Sequence, residues 1–441
     1  MSSQTRTEGC RPSTSAAAPS IPAYGQEAIR AIAAKFGITG DVDVQEFADK
    51  GNINADTYLV HAGASGARRG YLVQRLNDAV FTRPDRVMAA MDACLAAQRR
   101  YLATEPSPGG RDWEPMDLLR TADGELLVAA PGADQKACWR CVGLIEGCHT
   151  YKSLSEIADV DERLRIAEEA ARGLAVFGDA TSSIDVAGLA DPLPGYRNTR
   201  MYFDQMLSVL RGSRSLAEAA PYLPEEGDLR DSTAHLYMVA LSSRQFRHRL
   251  EDPDLEHFIT QAKAHMDYAM TLRRGMDSGR IRRNATHGDT KLDNFLFDDV
   301  TGLVRSLVDL DTVMPCTWLA DWGDMARSLT NVAGEKEPDP AKIDVDLPVF
   351  EALARGYLSA TKLVTRVEVE LMVDAVRIIS LELGVRFMTD YIRGDTYFAP
   401  GPADPPDINK IRAIAQITLF ERVTELAPRL KAIIAQYATQ A

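Results

Sequence analysis

Positive charge is in short supply: 50 Lys and Arg stand against 63 Asp and Glu, for a net charge of −13. A nucleic-acid binder needs a basic face, and a protein lying on an anionic membrane surface needs one too. Neither class fits. No apolar run approaches the roughly 20 residues of a membrane-spanning helix. Six cysteines in 441 residues do not make a disulfide scaffold, so a reducing, cytoplasmic setting is expected. Residues 1–25 open with MSSQTRTEGCRPSTSAAAPS, which lacks the apolar core of a signal peptide. They are expected to form a disordered tail. Histidine is scarce as well. His61, His149, His235, His248, His257 and His265 are scattered, and none falls into an H-x-H or H-E-x-x-H pair.

What remains is an ordinary globular composition, 45% hydrophobic and 26% charged, in a chain long enough for two or three domains. Residues 26–147 read as mixed α/β. YGQEAIRAIAAKFG is a short amphipathic helix ending at Gly37. DTYLVHAG and GYLVQRLN are strands, residues 83–102 a helix, and LLVAAPG and CWRCVGLIEG further strands. From 148 onward helices dominate, notably 159–178, 252–276, a buried 367–392 and a last one over 409–437. CWRC matches C-x-x-C at Cys138 and Cys141, with Cys148 and His149 following. Its apolar, β-favouring neighbours make strand packing the better account than zinc or redox chemistry.

One β-like island interrupts the helical half. HGDTKLDNFLFD, residues 287–298, leads through the turn DDVTG into SLVDLD, residues 306–311. A hairpin brings its ends together, so Asn294 and Asp309 can face one point. An amide oxygen and a carboxylate are hard ligands suited to Mg²⁺ whose shell is completed by phosphates. Asp289 would stand beside that ion to accept a proton from an attacking hydroxyl. Lys291 would offer positive charge to a phosphoryl group in flight. The spacing of HGDTKLDN equals that of the protein-kinase catalytic loop, H-R-D-x-x-x-x-N. The bland alternative is a solvated turn ahead of a strand.

With these residues the chain resembles the aminoglycoside phosphotransferase and choline kinase superfamily. Within it, HGDTKLDNFLFD, LVDLDTVMP, DWGDMARS and GVRFMTDYIRGDTYF are similar to the N-acetylhexosamine 1-kinases. GNINADTYLV, YLVQRLNDAVFTRPDRVM and WRCVGLIEG resemble the same enzymes' small lobe. The likeness runs from about residue 50 to 400 and is thinnest over 180–280. It implies an α+β, two-lobed, protein-kinase-like fold. The small β-sheet N-lobe would span 26–147, and the mainly helical C-lobe 148–441 would carry the catalytic loop 287–294 and the metal-binding strand end 309–311.

The resemblance further implies an ATP- and Mg²⁺-dependent kinase acting on a small-molecule hydroxyl, with no nucleic-acid or membrane partner. The hydroxyl would be the anomeric one of an N-acetylhexosamine or related sugar. Asp289 becomes the base, Asn294 and Asp309 metal ligands, and Asp311 a helper at the metal. His287 and Asp324 become structural supports. Leu144, Ile145 and Glu146 form the hinge that meets adenine. The GNIN turn, with Asn52 and Asn54, covers the phosphates, and Gln74 and Arg75 stand where a lysine is usual. Asp56, Arg386 and Tyr397 contact the sugar. Three departures accompany the match. Strand 71–76 has no lysine, no tryptophan follows Trp322, and GNINADT is one residue longer than the family's turn. Kinases of another alcohol, amino alcohol or aminoglycoside-like metabolite therefore stay open as alternatives. So does a catalytically degenerate nucleotide-binding protein. A metal-dependent hydrolase would need a histidine-rich or two-metal cluster, and the sequence has neither. Oligomeric state leaves no mark in the sequence.

Overall fold

Alternation of apolar and polar residues in TYLVHA and RGYLVQR gives two strands that each bury one face. In the computed structural model, which describes residues 24–48, 53–54, 56–63, 68–78, 80–129 and 137–438, they are the centre of a five-stranded sheet. Its order is β1-β2-β3-β5-β4, with β1 (Val42–Glu46), β2 (Thr57–Ala62), β3 (Arg69–Arg75), β4 (Val128–Ala129) and β5 (Cys138–Gly143). The β1/β2, β2/β3 and β4/β5 pairs are antiparallel, with Thr57 opposite Gln74. Helix α1 (Gln26–Lys35) lays Ile29, Ile32 and Ala33 on this sheet, one turn apart. Tyr24 packs edge-on against buried Trp139, with ring centres 4.9 Å apart. Strand β1 is absent from the sequence-based reading. It is an edge strand with a single fully buried residue, Val44, so its alternation is weak.

The chain divides into two compact units: residues 1–76 with 120–141, and residues 77–119 with 142–441. The first is the sheet just described. The second begins with α2 (Pro84–Leu102), which packs on α3 (Val160–Thr181). Asp159 caps α3 by accepting from the Glu162 N–H, and Ile166, Ala170, Leu174 and Phe177 form its buried stripe. The helix runs one turn beyond Gly178. Arg111, just after α2, makes a bidentate buried ion pair with Glu169 at 2.7 and 2.8 Å. Glu169 also accepts from the Val304 N–H at 2.9 Å. Val304 lies so close to Gly173 that a Cβ there would sit 2.7 Å from its side chain. These contacts fix the hairpin of β8 (Phe295–Asp298) and β9 (Val304–Leu307) on α3.

Strand β6 (Cys148–His149) joins that hairpin, and β7 (Asn284–Thr286) pairs with β10 (Met314–Cys316). The rest is helical: α4 (Thr199–Leu210), α5 (Leu216–Ala219), α6 (Gly227–Thr233), α7 (Ser243–Leu250), α8 (Pro253–Ala264), α9 (Met266–Ala269), α10 (Thr271–Asp277), α11 (Trp318–Thr330), α12 (Leu347–Ala360), α13 (Arg366–Glu370), α14 (Met372–Arg393) and α15 (Ile408–Tyr437). The single helix expected over 252–276 is broken into α8, α9 and α10. At the breaks the Gln261 oxygen meets both the His265 N–H and His265 Nδ1, and Thr271 Oγ1 meets the Tyr268 oxygen. Helix α14 is the centre of the unit. Its Leu381, Val385, Phe387 and Met388 share a core with Phe203 and Met206 of α4 and Phe420 of α15, each buried side chain contributing about 1.5–3 kcal/mol.

Candidate functional site

The loop after β7 is held from every side by groups that are distant in sequence. Asp321, buried on α11, accepts from the His287 N–H at 2.7 Å and the Gly288 N–H at 2.8 Å. Asp324, one turn later, accepts from the Thr290 N–H at 3.2 Å. The Gly288 carbonyl accepts from Tyr196 Oη at 3.0 Å and from an Arg197 guanidinium nitrogen at 2.8 Å. Gly288 has φ +85°, and a Cβ there would lie 2.7 Å from the Thr312 oxygen, so glycine is required. His287 is fully buried. Its Nδ1 accepts from the Asp289 N–H at 3.3 Å while Nε2 lies 2.8 Å from the Val308 carbonyl. That pattern assigns the neutral Nε2–H tautomer, and the ring ties the loop to the end of β9.

Both peptides flanking Asp289 are thus fixed while its side chain stays part-exposed. Lys291 Nζ lies 3.1 Å from Asp289 Oδ2. Asn294 Nδ2 donates to the Asp289 carbonyl at 2.8 Å and approaches Oδ2 at 3.4 Å. The Asn294 carbonyl accepts from the Val308 N–H at 2.9 Å, so the hairpin delivers Asp309 beside the loop. Burial acts to lower the Lys291 pKa, but the carboxylates of Asp289, Asp293 and Asp309 outweigh it, and the ammonium is strengthened. Asp309 sits in the left-handed region at φ 61°, where few residues other than glycine, asparagine and aspartate settle. Asp311 follows within the same turn and is buried.

The donor set around Asp289 fits a phosphate-bound Mg²⁺. Asn294 Oδ1 and the Asp309 carboxylate are hard oxygens that could hold the ion, and Lys291 could offer a cation to its phosphates. Among the described residues no three His, Cys, Asp or Glu side chains gather as a self-sufficient metal cluster. A site that relies on an amide and on a ligand's own phosphates does not need one. The C-x-x-C pair lies on β5 three residues apart, which points the two side chains to opposite faces of the strand. One zinc ion does not bridge such a pair.

The remaining sequence-derived residues fall into two places. In the smaller unit, Gln74 donates to Thr57 Oγ1 at 2.9 Å and accepts from Arg140 Nε at 2.9 Å. Arg75 lies 3.7 Å from Asp56, and the two are nearly buried together. The Asn54 carbonyl accepts from Thr57 Oγ1 at 2.8 Å. Asn52 lies outside the described residues. In the larger unit, Leu144, Ile145 and Glu146 form an irregular segment between β5 and β6 with increasing exposure toward Glu146. Arg386 of α14 stacks with Tyr397 at 5.5 Å and with Tyr196 at 5.2 Å. Tyr196 connects that pair to the Gly288 carbonyl. Asp324 is gripped by Arg327 at 2.7 Å and Arg197 at 3.0 Å. Burial would raise its pKa, yet those two cations hold the carboxyl well below the ordinary range.

Three supports were missed from sequence: Asp321, Tyr196 and Arg197. Asp321 had a usable signal, since Asp321 and Asp324 share one helix face three residues apart. Tyr196 and Arg197 lie in the stretch where the resemblance is thinnest, and nothing local marks them.

No protein-family model matches the chain. Among solved structures it is similar to a microcompartment-associated aminopropanol kinase, with 14% identity, a TM-score of 0.50, and coverage of 91% of this chain and 98% of the other. An ethanolamine kinase from Plasmodium vivax gives 10% identity, a TM-score of 0.44 and coverage of 88% and 84%. An aminoglycoside 3'-phosphotransferase of type VIII gives 16%, 0.38, and 81% and 98%. The likeness to the first is one of fold. The small antiparallel sheet and the helical region that follows it form a kinase-like α+β architecture. Among the described residues no helix is long and apolar enough to cross a membrane.

Proposed function

We propose that the chain is an ATP-dependent kinase that transfers the γ-phosphoryl group to a hydroxyl of a small molecule. The observation that carries this is the clamped loop. It fixes both peptides around Asp289 and sets Lys291 and Asn294 against its carboxylate at 3.1 and 3.4 Å. Phosphoryl transfer asks a protein chiefly to position and to neutralise. Asp289 takes the hydroxyl proton as the acceptor oxygen bonds to the γ-phosphorus and the bond to the ADP oxygen breaks. Lys291 steadies the charge on the moving group. Asn294 and Asp309, with Asp311 behind them, would hold Mg²⁺, which offsets phosphate charge when bound. Gln74, Arg75, Asn54 and Asn52 of the smaller unit, and Leu144 to Glu146 of the larger, are proposed nucleotide contacts on the strength of the resemblance.

The acceptor proposed from the same resemblance is the anomeric hydroxyl of an N-acetylhexosamine or a related sugar, with Asp56, Arg386 and Tyr397 as contacts. The fold shared with an aminopropanol kinase keeps small amino alcohols as the alternative. A nucleotide binder without transfer is the second reading, favoured by β3 carrying Gln74, tied to Arg140, where a lysine is usual. The test is coupled ADP release with Mg²⁺ over N-acetylhexosamines, hexoses, amino alcohols and aminoglycosides. Asp289→Asn is expected to lower turnover by about 10²–10⁴-fold while nucleotide affinity stays within threefold. A variant within tenfold of wild type removes Asp289 from the role of base.

A further inference from the structure

Arg386 has an unusual setting. Its guanidinium carbon lies over four aromatic rings: Tyr202 at 4.8 Å, Phe398 at 5.1 Å, Tyr196 at 5.2 Å and Tyr397 at 5.5 Å. These rings hold the cation by their faces and offer no carboxylate. Among the described residues Arg386 forms no hydrogen bond and no ion pair, although it carries five N–H donors. Glu382, one turn earlier on α14, has its carboxyl bonded to the Thr199 hydroxyl instead.

Neighbouring charges do not make up the deficit. Arg386 and Arg412 share the Phe398 ring, and Arg386 and Arg197 share the Tyr196 ring. Arg197 and Arg327 meet on Asp324, while Arg327 and Arg412 meet on Glu335. The contacts thus close into a ring holding four guanidiniums, Arg197, Arg327, Arg386 and Arg412, and the carboxyls of Asp324 and Glu335, with Glu382 close enough to feel Arg197 and Arg386. Asp324 and Glu335 are each bridged by two arginines. Glu382 is pushed up to about 7 by burial, so near neutrality its charge is incomplete. Among the described residues Arg386 is the member of this ring that has neither a hydrogen bond nor an ion pair. Tyr196 joins this cation to the carbonyl of Gly288, next to Asp289.

An aromatic box is the usual receptor for an alkylammonium group. Here the chain's own guanidinium fills it, and an ammonium entering would meet like charge. We propose that the acceptor is not a plain N-acetylhexosamine but a related compound that carries an anionic oxygen group, a carboxylate or a phosphate, that pairs with Arg386, and that ammonium-bearing alcohols are rejected at this position. The proposal rests on the phosphotransfer reading for the word acceptor. The pairing with Arg386 stands or falls without it.

The experiment uses the full chain and a set matched in size: glucose, glucosamine, glucuronate and glucose 6-phosphate, with ethanolamine and glycolate as a two-carbon pair. Binding is measured by calorimetry without nucleotide, on wild type, Arg386→Gln and Arg386→Lys. Circular dichroism checks that each variant is folded. Glucuronate or glucose 6-phosphate is expected to bind at least tenfold more tightly than glucose and glucosamine. Arg386→Gln should abolish that preference and Arg386→Lys restore part of it. Which of the two binds decides between carboxylate and phosphate. The proposal is overturned if no anionic member outbinds its neutral counterpart, if the amines bind best, or if Arg386→Gln keeps the preference. ADP release over the same set is read separately. Arg386-dependent anion binding with no ADP formed from any alcohol removes the kinase reading and leaves the anion site. ADP formed from the amines removes the anion proposal and leaves the kinase.

Discussion

Replacing Glu382 by glutamine should change how stability depends on pH. The side chain is 4% exposed and lies on α14 beside Thr199, Arg197, Arg386 and Asp324. Burial is the largest influence and raises its pKa from 4.5 to about 7, with Thr199, Arg197 and Arg386 pulling it down and Asp324 pushing it up. An unfolded chain releases this proton near pH 4.5, whereas the folded chain keeps it to about pH 7. Between those values the folded state binds more protons, so this group takes stability away as pH rises. A displacement of about 2.5 units, at about 1.4 kcal/mol per unit, amounts to roughly 3 kcal/mol. Glutamine cannot titrate and can still accept from Thr199. Urea unfolding followed by circular dichroism at pH 5, 6, 7 and 8 should show the variant close to wild type at pH 5. At pH 8 it should be about 2–3 kcal/mol more stable. Parallel stability curves for the two proteins across that range would refute the reasoning.

Removing Asp321 as alanine takes the acceptor from two loop N–H groups and should cost about 3 kcal/mol in unfolding. In the ADP-release assay kcat should fall more than KM rises, because the loop holding Asp289 loosens. Gly288→Ala puts a Cβ against the Thr312 oxygen at positive φ and should cost about 1–3 kcal/mol. Its mark would be lost turnover with retained nucleotide binding, measured by calorimetry. Arg111→Ala leaves Glu169 buried and unpaired and should destabilise by about 3–5 kcal/mol. A urea midpoint indistinguishable from wild type would show that the pair does not secure β9.

What could be read from sequence was local. HGDTKLDN, the turn and SLVDLD lie in one stretch, so a hairpin alone was enough to place Asp309 near the loop, and the Val308–Asn294 hydrogen bond shows that hairpin closed. Helix α1 was legible from its apolar spacing, and α14 and α15 from long, largely apolar stretches, although the helix expected over 367–392 is interrupted at Leu371. Edge strand β1 was not, since a strand with one buried side chain has little pattern to show. The breaks of 252–276 fall at His265 and Met270, inside a stretch of helix-like spacing, and periodicity does not register them. The supports of the loop were hardest. Asp321 reaches residues 33 and 34 positions away, and Tyr196 and Arg197 reach 92 and 91. Contacts of that span belong to the folded chain and have no signature in a window of sequence. Arg386 and Tyr397 were expected separately, as sugar contacts; their stack, and the rings of Tyr196 and Tyr202 from before and within α4 that join it, had no local signal.

Asp309 is screened twice, once by its backbone and once by its side chain. Its torsion admits glycine, asparagine and aspartate cheaply and charges most other residues a strain cost. Those three tolerated residues carry no oxygen, a neutral oxygen and a charged one. Substituting glycine and then asparagine therefore varies the electrostatic contribution of this corner while the bend of the chain is preserved. An alanine scan run through the same position would confound the two.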